Sequence, residues 1–476
     1  MVFSSLILLF FFLPVTVVLY VLINKVSKRS SLVLNLYLCV ASLIFYYWGA
    51  GKSGVGVLLL LIGANYVFSY IIRVKRSKLS FVLGIVFNCA VIIKYKYPLL
   101  MLQALNAYLT EDAELIMVAF PLGLSFIIFH CISYLADVYR ENFESAGSEG
   151  KEFVGMCLYV LFFPKLIQGP IVKYKDMRSS LYERTFTFDR LCEGTERFLI
   201  GLGKKVLLAK AFGISLKQIS RASAMDVPTA WLSILLYGLQ LYLDFSGYSD
   251  MAIGAAKIFG FDFKENFNFP YISTSISEFW RRWHISLGSW FREYIYIPLG
   301  GNRTGSVYIN LFVVFVLTGM WHGNTVIYIC WGIAHGLVVL FERTKLYQKL
   351  KARIPGFSVI GWIYTTLVVG VGWLCFRLDG VGEFIAYLKN LVGIGIGELS
   401  FTWQYYLTPK LIFMLLISCA GIFVFSRESV RAAIKRYNKS SKCFCILKYL
   451  CLLVLFGLSV MTIVSNGYTP FLYFAY

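Results

Sequence analysis

Charge is what this sequence has least of. Charged residues fill 15% of its 476 positions, against 58% that are hydrophobic, and the mean hydropathy is +0.70. A soluble domain carries about 25% charge, and a chain this apolar would aggregate in water. A soluble globular enzyme is therefore excluded, and so is a disordered chain. Histidine is scarce as well, with four in the chain. No metal-ligand spacing, nucleophile elbow, phosphate-binding loop or dinucleotide fingerprint occurs. The eleven cysteines are odd in number and scattered. Cys39, Cys89, Cys131, Cys157, Cys330, Cys419 and Cys451 fall inside apolar runs and read as small buried hydrophobes, not as a disulfide framework or a zinc site. The N-terminal run has no basic start and no small-residue cleavage site, so it reads as a retained first helix and not as a signal peptide.

What is present is apolar length and aromatic rings. Aromatics reach 17%, with 41 Phe and 32 Tyr, as expected of lipid-facing and interfacial surface. Apolar runs of spanning length fall at 3–24, 32–49, 54–72, 80–93, 115–136, 153–172, 198–215, 229–258, 307–321, 324–342, 357–376, 411–426 and 444–465. The fold class predicted is an all-α polytopic membrane protein with about eleven to thirteen membrane-embedded helices. Two runs are weak and read as re-entrant or interfacial: 153–172, broken by Pro164 and Pro170, and 198–215, interrupted by Lys204, Lys205 and Lys210. No internal repeat is visible, which argues against an inverted-repeat transporter.

The net charge of +20 sits in short loops between apolar runs, so it signals orientation and anionic lipid, not nucleic acid. The basic loops are 25–29, Arg73 to Lys78, Arg343 to Arg353 and Arg427 to Lys442; the acidic cluster Glu111, Asp112 and Glu114 falls in a loop that alternation places outside. With the N-terminus outside, all four basic loops are cytoplasmic and the C-terminus returns outside.

Two stretches carry chemistry. Ser277 to Gly301, SEFWRRWHISLGSWFREYIYIPLGG, reads as an amphipathic helix at the interface with a strand-like exit. His284 falls on its apolar face, one turn after Trp280, while Arg281 and Arg282 face the other way. The second stretch is Thr318 to Gly336, TGMWHGNTVIYICWGIAHG. Its flanking runs predict a hairpin with His322 at the turn, where an ionisable residue is costly and functional by default. Gly319 and Gly323 suit a close approach or a helix break, and Asn324 is placed to hydrogen-bond an imidazole and fix its tautomer. His130 and His335 read as satisfied polar core residues. Asp244 and Asp250, in the run Tyr242 to Phe261, read first as structural partners for nearby arginines and second as a polar tunnel lining. Two imidazoles with neither a carboxylate dyad nor a metal site point to acyl transfer, in which a neutral imidazole takes a proton from a hydroxyl attacking a thioester.

The motifs PLGLSFIIFHCISYLADVYR, FFPKLIQGPIVKY, YLDFSGYSDMAIGAAKIFGF, FWRRWHISLGSWFREYIYIPLGGNR, GMWHG and PFLYFAY resemble the membrane-bound O-acyltransferase (MBOAT) family. Within it they are most similar to the bacterial branch that O-acetylates alginate, cellulose and peptidoglycan. The resemblance runs the length of the chain and implies one membrane domain, 1–476, with N-terminal helices at 1–140, a core at 141–342 and C-terminal helices at 343–476. It implies a helical ring around a central funnel or tunnel. It also implies a cytoplasmic thioester donor, acetyl-CoA, with no metal, and an extracytoplasmic esterase-like partner of the SGNH type that places the acetyl group on a glycan. By resemblance His322 is the catalytic base and His284 the second catalytic position. Asp244, Asp250, Arg281, Arg282, Trp321 and Asn324 are tunnel or supporting residues, and Tyr473, in the aromatic C-terminal motif, is an acyl carrier, with an interfacial anchor as the plain alternative. The resemblance further implies the bacterial cytoplasmic membrane. Two other readings remain open from the sequence: D-alanyl transfer to teichoic acid, within the same family, and a proton-coupled transporter using His322, His284 and Asp244 as a relay.

Overall fold

The computed structural model describes residues 3–97, 120–141, 143, 147–222, 224–395, 397, 399 and 401–466. The acidic cluster at Glu111, Asp112 and Glu114 and the aromatic C-terminus with Tyr473 lie outside these. Every regular element among the described residues is helical, as the apolar periodicity requires. The helices form two compact units, one of 1–198 with 249–264 and one of 199–248 with 265–476.

The first unit opens with a π-helical turn, Leu8–Phe12, that runs without a break into α1, Leu13–Val26, and Pro14 lies just past the junction. Helix α2, Ser31–Lys75, is 45 residues long, about 68 Å if straight. It is two spans, because Gly51 breaks it with φ 66° and ψ −172°, between the runs 32–49 and 54–72. Helix α3, Lys78–Lys96, packs on α2 through a buried amide pair: Asn88 donates to Asn65 Oδ1 at 2.7 Å and Asn65 donates to Asn88 Oδ1 at 3.2 Å. Polar pairs of this kind hold helices together where lipid gives no hydrophobic drive. Helices α4 (Leu124–Arg140), α5 (Glu149–Leu161), α6 (Phe163–Leu166), α7 (Tyr174–Glu183) and the first part of α8 (Phe188–Gly203) complete the unit. The expected run 153–172 is split at Phe162 just before Pro164, so it is not one span. His130 is fully buried on α4, with its ring edge-to-face with Tyr159 at 5.6 Å.

The second unit starts inside α8 and continues through a π-helical stretch, Lys204–Ala209, into α9, Lys210–Ile219. Helix α10, Val227–Ile258, belongs to it up to Tyr248. Then come two short helices, α11 (Ile276–Arg282) and α12 (Ile285–Phe291), and the hairpin α13 (Val307–His322) and α14 (Val326–Glu342). The hairpin is tight because of three glycines. A Cβ on Gly319 would sit 2.4 Å from the Tyr328 carbonyl oxygen, and one on Gly332 would sit 2.5 Å from that of Phe315. A Cβ on Gly323 would meet the Tyr328 ring at 2.1 Å. The unit ends with α15 (Lys345–Arg353), α16 (Phe357–Leu374), α17 (Val381–Leu391), α18 (Trp403–Tyr406), α19 (Pro409–Phe425), α20 (Glu428–Ser440) and α21 (Lys442–Asn466).

Among the described residues five helices, with α2 counted once, are long and apolar enough to cross a membrane, or seven if two bent pairs each count as one span. Most other expected segments are, among the described residues, helical but short, broken or charged, while α10 is long and unbroken but less apolar. Helix α13 has 16 residues, about 24 Å, less than the ~30 Å of a hydrocarbon core. All eleven cysteines are free. Cys39 and Cys131 are buried as expected; Cys89, Cys330 and Cys451 are exposed, on helix faces whose neighbours are apolar.

Candidate active site

His284 does not lie on a continuous amphipathic helix. The stretch Ser277 to Gly301 is broken after Arg282, and His284 occupies the break with φ 46° and ψ 51°. A non-glycine residue in the left-handed region costs about 1–2 kcal/mol, and the surrounding bonds hold it there. The Ile285 N–H donates to the Asn266 carbonyl and the Asn268 N–H to the Arg282 carbonyl, both at 2.9 Å, so residues 266–268 stitch the break closed. On one side of the break Trp283 is buried against Phe267, Phe279 and Trp373, with ring centroids 5.1, 5.5 and 4.7 Å away. The strand-like exit is also corrected: Arg292–Tyr296 is a π-helical turn.

The His284 ring is buried, with the edge of Phe245 at 4.7 Å and Trp321 at 6.5 Å. Burial lowers its imidazole to about 3, so it is neutral at neutral pH. Its Nδ1 lies 3.2 Å from Asn266 Oδ1, which also accepts from the Ser286 N–H at 3.2 Å and the Ser286 hydroxyl at 2.8 Å. Its Nε2 is buried and has no hydrogen-bond partner among the described residues.

His322 ends α13 at the hairpin turn, where the sequence placed it, and is 5% exposed. Its ring meets Trp321 at 4.7 Å, Phe376 at 5.0 Å and Trp331 at 5.2 Å. Trp321 therefore touches both imidazoles, and the two sequence-predicted histidines share one aromatic pocket inside the second unit. His335, one helical turn beyond Trp331 on α14, is buried between Trp280 and Trp331 at 5.4 and 5.0 Å, and its Nδ1 has no hydrogen-bond partner among the described residues.

Other expectations are redistributed. Asn324 is exposed; the asparagine bonded to an imidazole is Asn266. Sequence reasoning missed it because its partner lies 18 positions away. Arg281 is exposed. Arg282 Nε donates to Glu278 Oε1 at 2.9 Å and its Nη1 to the Asn268 carbonyl at 3.1 Å, so it braces the break instead of lining a passage. Burial raises the Glu278 carboxyl, but the Thr274 N–H and Arg282 outweigh it and hold it below the usual carboxylate range. Asp244 forms a buried ion pair with Lys205, and Asp250 one with Arg197, whose Nε is 2.8 Å from Oδ1. Structural pairing is thus their observed role, with a lysine where an arginine was expected for Asp244.

Glu342 was also missed. It is the last residue of α14, 3% exposed, and its carboxylate accepts from the Ile276 N–H at 2.6 Å and the Ser277 N–H at 2.8 Å, at the first turn of α11. The hairpin that carries His322 is thereby bonded to the helix that leads into His284.

The model of the MBOAT, membrane-bound O-acyltransferase, family matches residues 77–376, which include both imidazoles, Asn266 and Glu342. The chain belongs to the membrane-bound O-acyltransferase family. It is thereby a multi-pass membrane enzyme, an O-acyltransferase. This MBOAT chain is 36% identical to the probable alginate O-acetylase AlgI of Pseudomonas putida, over all of both proteins. It is 32% identical to the peptidoglycan O-acetyltransferase of Helicobacter pylori, over 83% of this chain and 80% of that protein. Similarity to the teichoic acid D-alanyltransferase of Bacillus subtilis is lower, 28% over 54% of this chain and 67% of that one.

Proposed function

We propose that this MBOAT protein carries an acetyl group from cytoplasmic acetyl-CoA across the bacterial cytoplasmic membrane for O-acetylation of an extracytoplasmic polysaccharide. The observation that carries the reading is the pair His284 and His322, buried in one aromatic pocket and both touching Trp321. The full-length similarity to an alginate O-acetylase supports acetyl over D-alanyl, for which the similarity covers about half of the chain. In the reaction a hydroxyl oxygen attacks the thioester carbonyl carbon. The C–O bond forms, the C–S bond breaks, and the hydroxyl proton passes by way of an imidazole to the leaving sulfur. A water-poor aromatic pocket strengthens every polar interaction made in it and keeps the thioester from hydrolysis. His322 and His284 are the catalytic pair, and Trp321 fixes their spacing.

Tyr473 is the proposed phenol that receives the acetyl group and presents it outside, where an SGNH-type esterase-like partner moves it to the glycan. Both termini then lie outside. Mass analysis of the cell-surface polymer, with and without this protein, tests the function: acetyl groups on a polysaccharide vanish when the gene is deleted and return on complementation. Unchanged acetylation in the deletion rejects the reading, and a D-alanyl ester lost in its place points to the teichoic acid chemistry.

A further inference from the structure

The hydrogen bonds around Asn266 decide which nitrogen of His284 is a base. The Ser286 backbone N–H, 3.2 Å from Asn266 Oδ1, is a donor under all conditions. Rotating the amide to put Nδ2 in that place would set donor against donor, so the amide orientation is locked. His284 Nδ1 faces the same oxygen at 3.2 Å. An amide oxygen only accepts, so Nδ1 must carry the proton. The Ser286 hydroxyl already donates to this oxygen at 2.8 Å, which leaves its lone pairs turned to Nδ1 at 3.5 Å, a contact consistent with Nδ1–H. With the proton on Nδ1, the lone pair of the ring sits on Nε2. That atom is buried and has no hydrogen-bond partner among the described residues. The aromatic neighbours of the ring, Phe245 and Trp321, are uncharged.

We propose that Asn266 is a positioning residue that holds His284 as the Nδ1–H tautomer, so that Nε2 is the acceptor for the proton of a neutral substrate hydroxyl. The inference rests on the acyl-transfer reading and deepens it by naming the nitrogen of His284 that can take a proton. Nε2 takes the hydroxyl proton as the C–O bond forms. The imidazolium is then stabilised by the Nδ1–H bond to Asn266 Oδ1, and it returns the proton to the sulfur as the C–S bond breaks. A neutral hydroxyl fits this site and an anionic one does not, because an anion has no proton to offer the lone pair. The pocket thus favours a phenol or sugar alcohol over a carboxylate acceptor.

Two measurements on the full-length protein in lipid nanodiscs test this. Nitrogen-15 NMR of histidine-labelled protein, with the His284 signal identified by its loss in His284→Gln, reads the tautomer directly. The wild type is expected to show Nδ1 protonated and Nε2 bare, and Asn266→Leu a mixture. In parallel, acetyl-CoA turnover by Asn266→Leu is expected to fall about 100-fold in kcat, with KM changed less than about threefold. Asn266→Asp, whose carboxylate oxygen still accepts from Nδ1–H, restores kcat to within about tenfold of wild type. A wild-type His284 protonated on Nε2, or wild-type kcat in Asn266→Leu, overturns the proposal. The tautomer is read without any turnover, so a wild type that transfers no acetyl group but shows the Nδ1–H signature rejects the function and leaves the Asn266 bond standing.

Discussion

At the scale of single residues, the pocket is built from groups that lipid would normally exclude. His322 is wrapped by Trp321, Trp331 and Phe376, each in edge-to-face contact with its ring. Replacing it with alanine removes a polar ring from an aromatic cage and leaves the cage walls in place. His322→Ala is therefore expected to insert into the membrane and elute as a single species, with acyl transfer lost by at least about 100-fold. Near-normal transfer in a thioester turnover assay would reject the assignment. Tyr473 asks a separate question, because an anchor and an acyl carrier differ only in the hydroxyl. Tyr473→Phe keeps the ring; glycan acetylation measured by mass is expected to disappear, and unchanged acetylation returns the residue to the anchor role.

At the scale of elements, Glu342 does most to join the two halves of the pocket. Helix α11 has two turns and His284 follows its last residue by two positions, so the N-terminal clamp sets the direction of the histidine-bearing segment. Glu342→Ala leaves one buried and one half-buried N–H group without acceptors, at about 1–3 kcal/mol, and is expected to lower both the thermal transition of the detergent-solubilised protein and kcat. Glu342→Gln keeps one acceptor oxygen and is expected to recover much of the stability. If both variants melt and turn over like wild type, the clamp has no role. The histidines, the hairpin and the break in α2 near Gly51 were legible in the sequence, since each depends on local pattern: apolar runs, a glycine, a polar residue at a turn. The single helix expected over Ser277 to Gly301 was not found, because helical periodicity counts side chains and does not register the backbone pairing of 266–268 with 282–285 that opens the chain at His284. Asn266 and Glu342 lie 18 and at least 65 positions from their partners, and no local rule couples positions that far apart.

At the scale of the molecule, buried ion pairs replace the apolar contacts that membrane helices cannot use against lipid. Lys205 and Asp244 are both buried in the second unit, and breaking such a pair from one side strands a charge. Lys205→Met is expected to cost about 3–5 kcal/mol, and the double change Lys205→Met with Asp244→Leu considerably less. Thermal melting in one detergent compares them; a double variant less stable than the single one would show that the pair is more than charge compensation. Among the described residues five to seven helices, with α2 counted once, are long and apolar enough to span, and the remaining helices are shorter or less apolar. Helix α13 is too short for a full bilayer, and its first turn is capped by the Ser306 hydroxyl, which accepts from the Ile309 N–H at 3.4 Å.

The sequence by itself determined that this chain lives in a membrane and that it is helical, and it singled out His284 and His322 as the candidate imidazoles. Those conclusions rest on hydropathy, on periodicity and on the cost of an imidazole among apolar residues, and all three are readable along the chain. Only the tertiary structure decided that the two rings share Trp321, that Asn266 and not Asn324 holds an imidazole, and that the aspartates are committed to ion pairs. Each of these is a bond between residues remote in sequence, and its geometry exists only once the helices have packed.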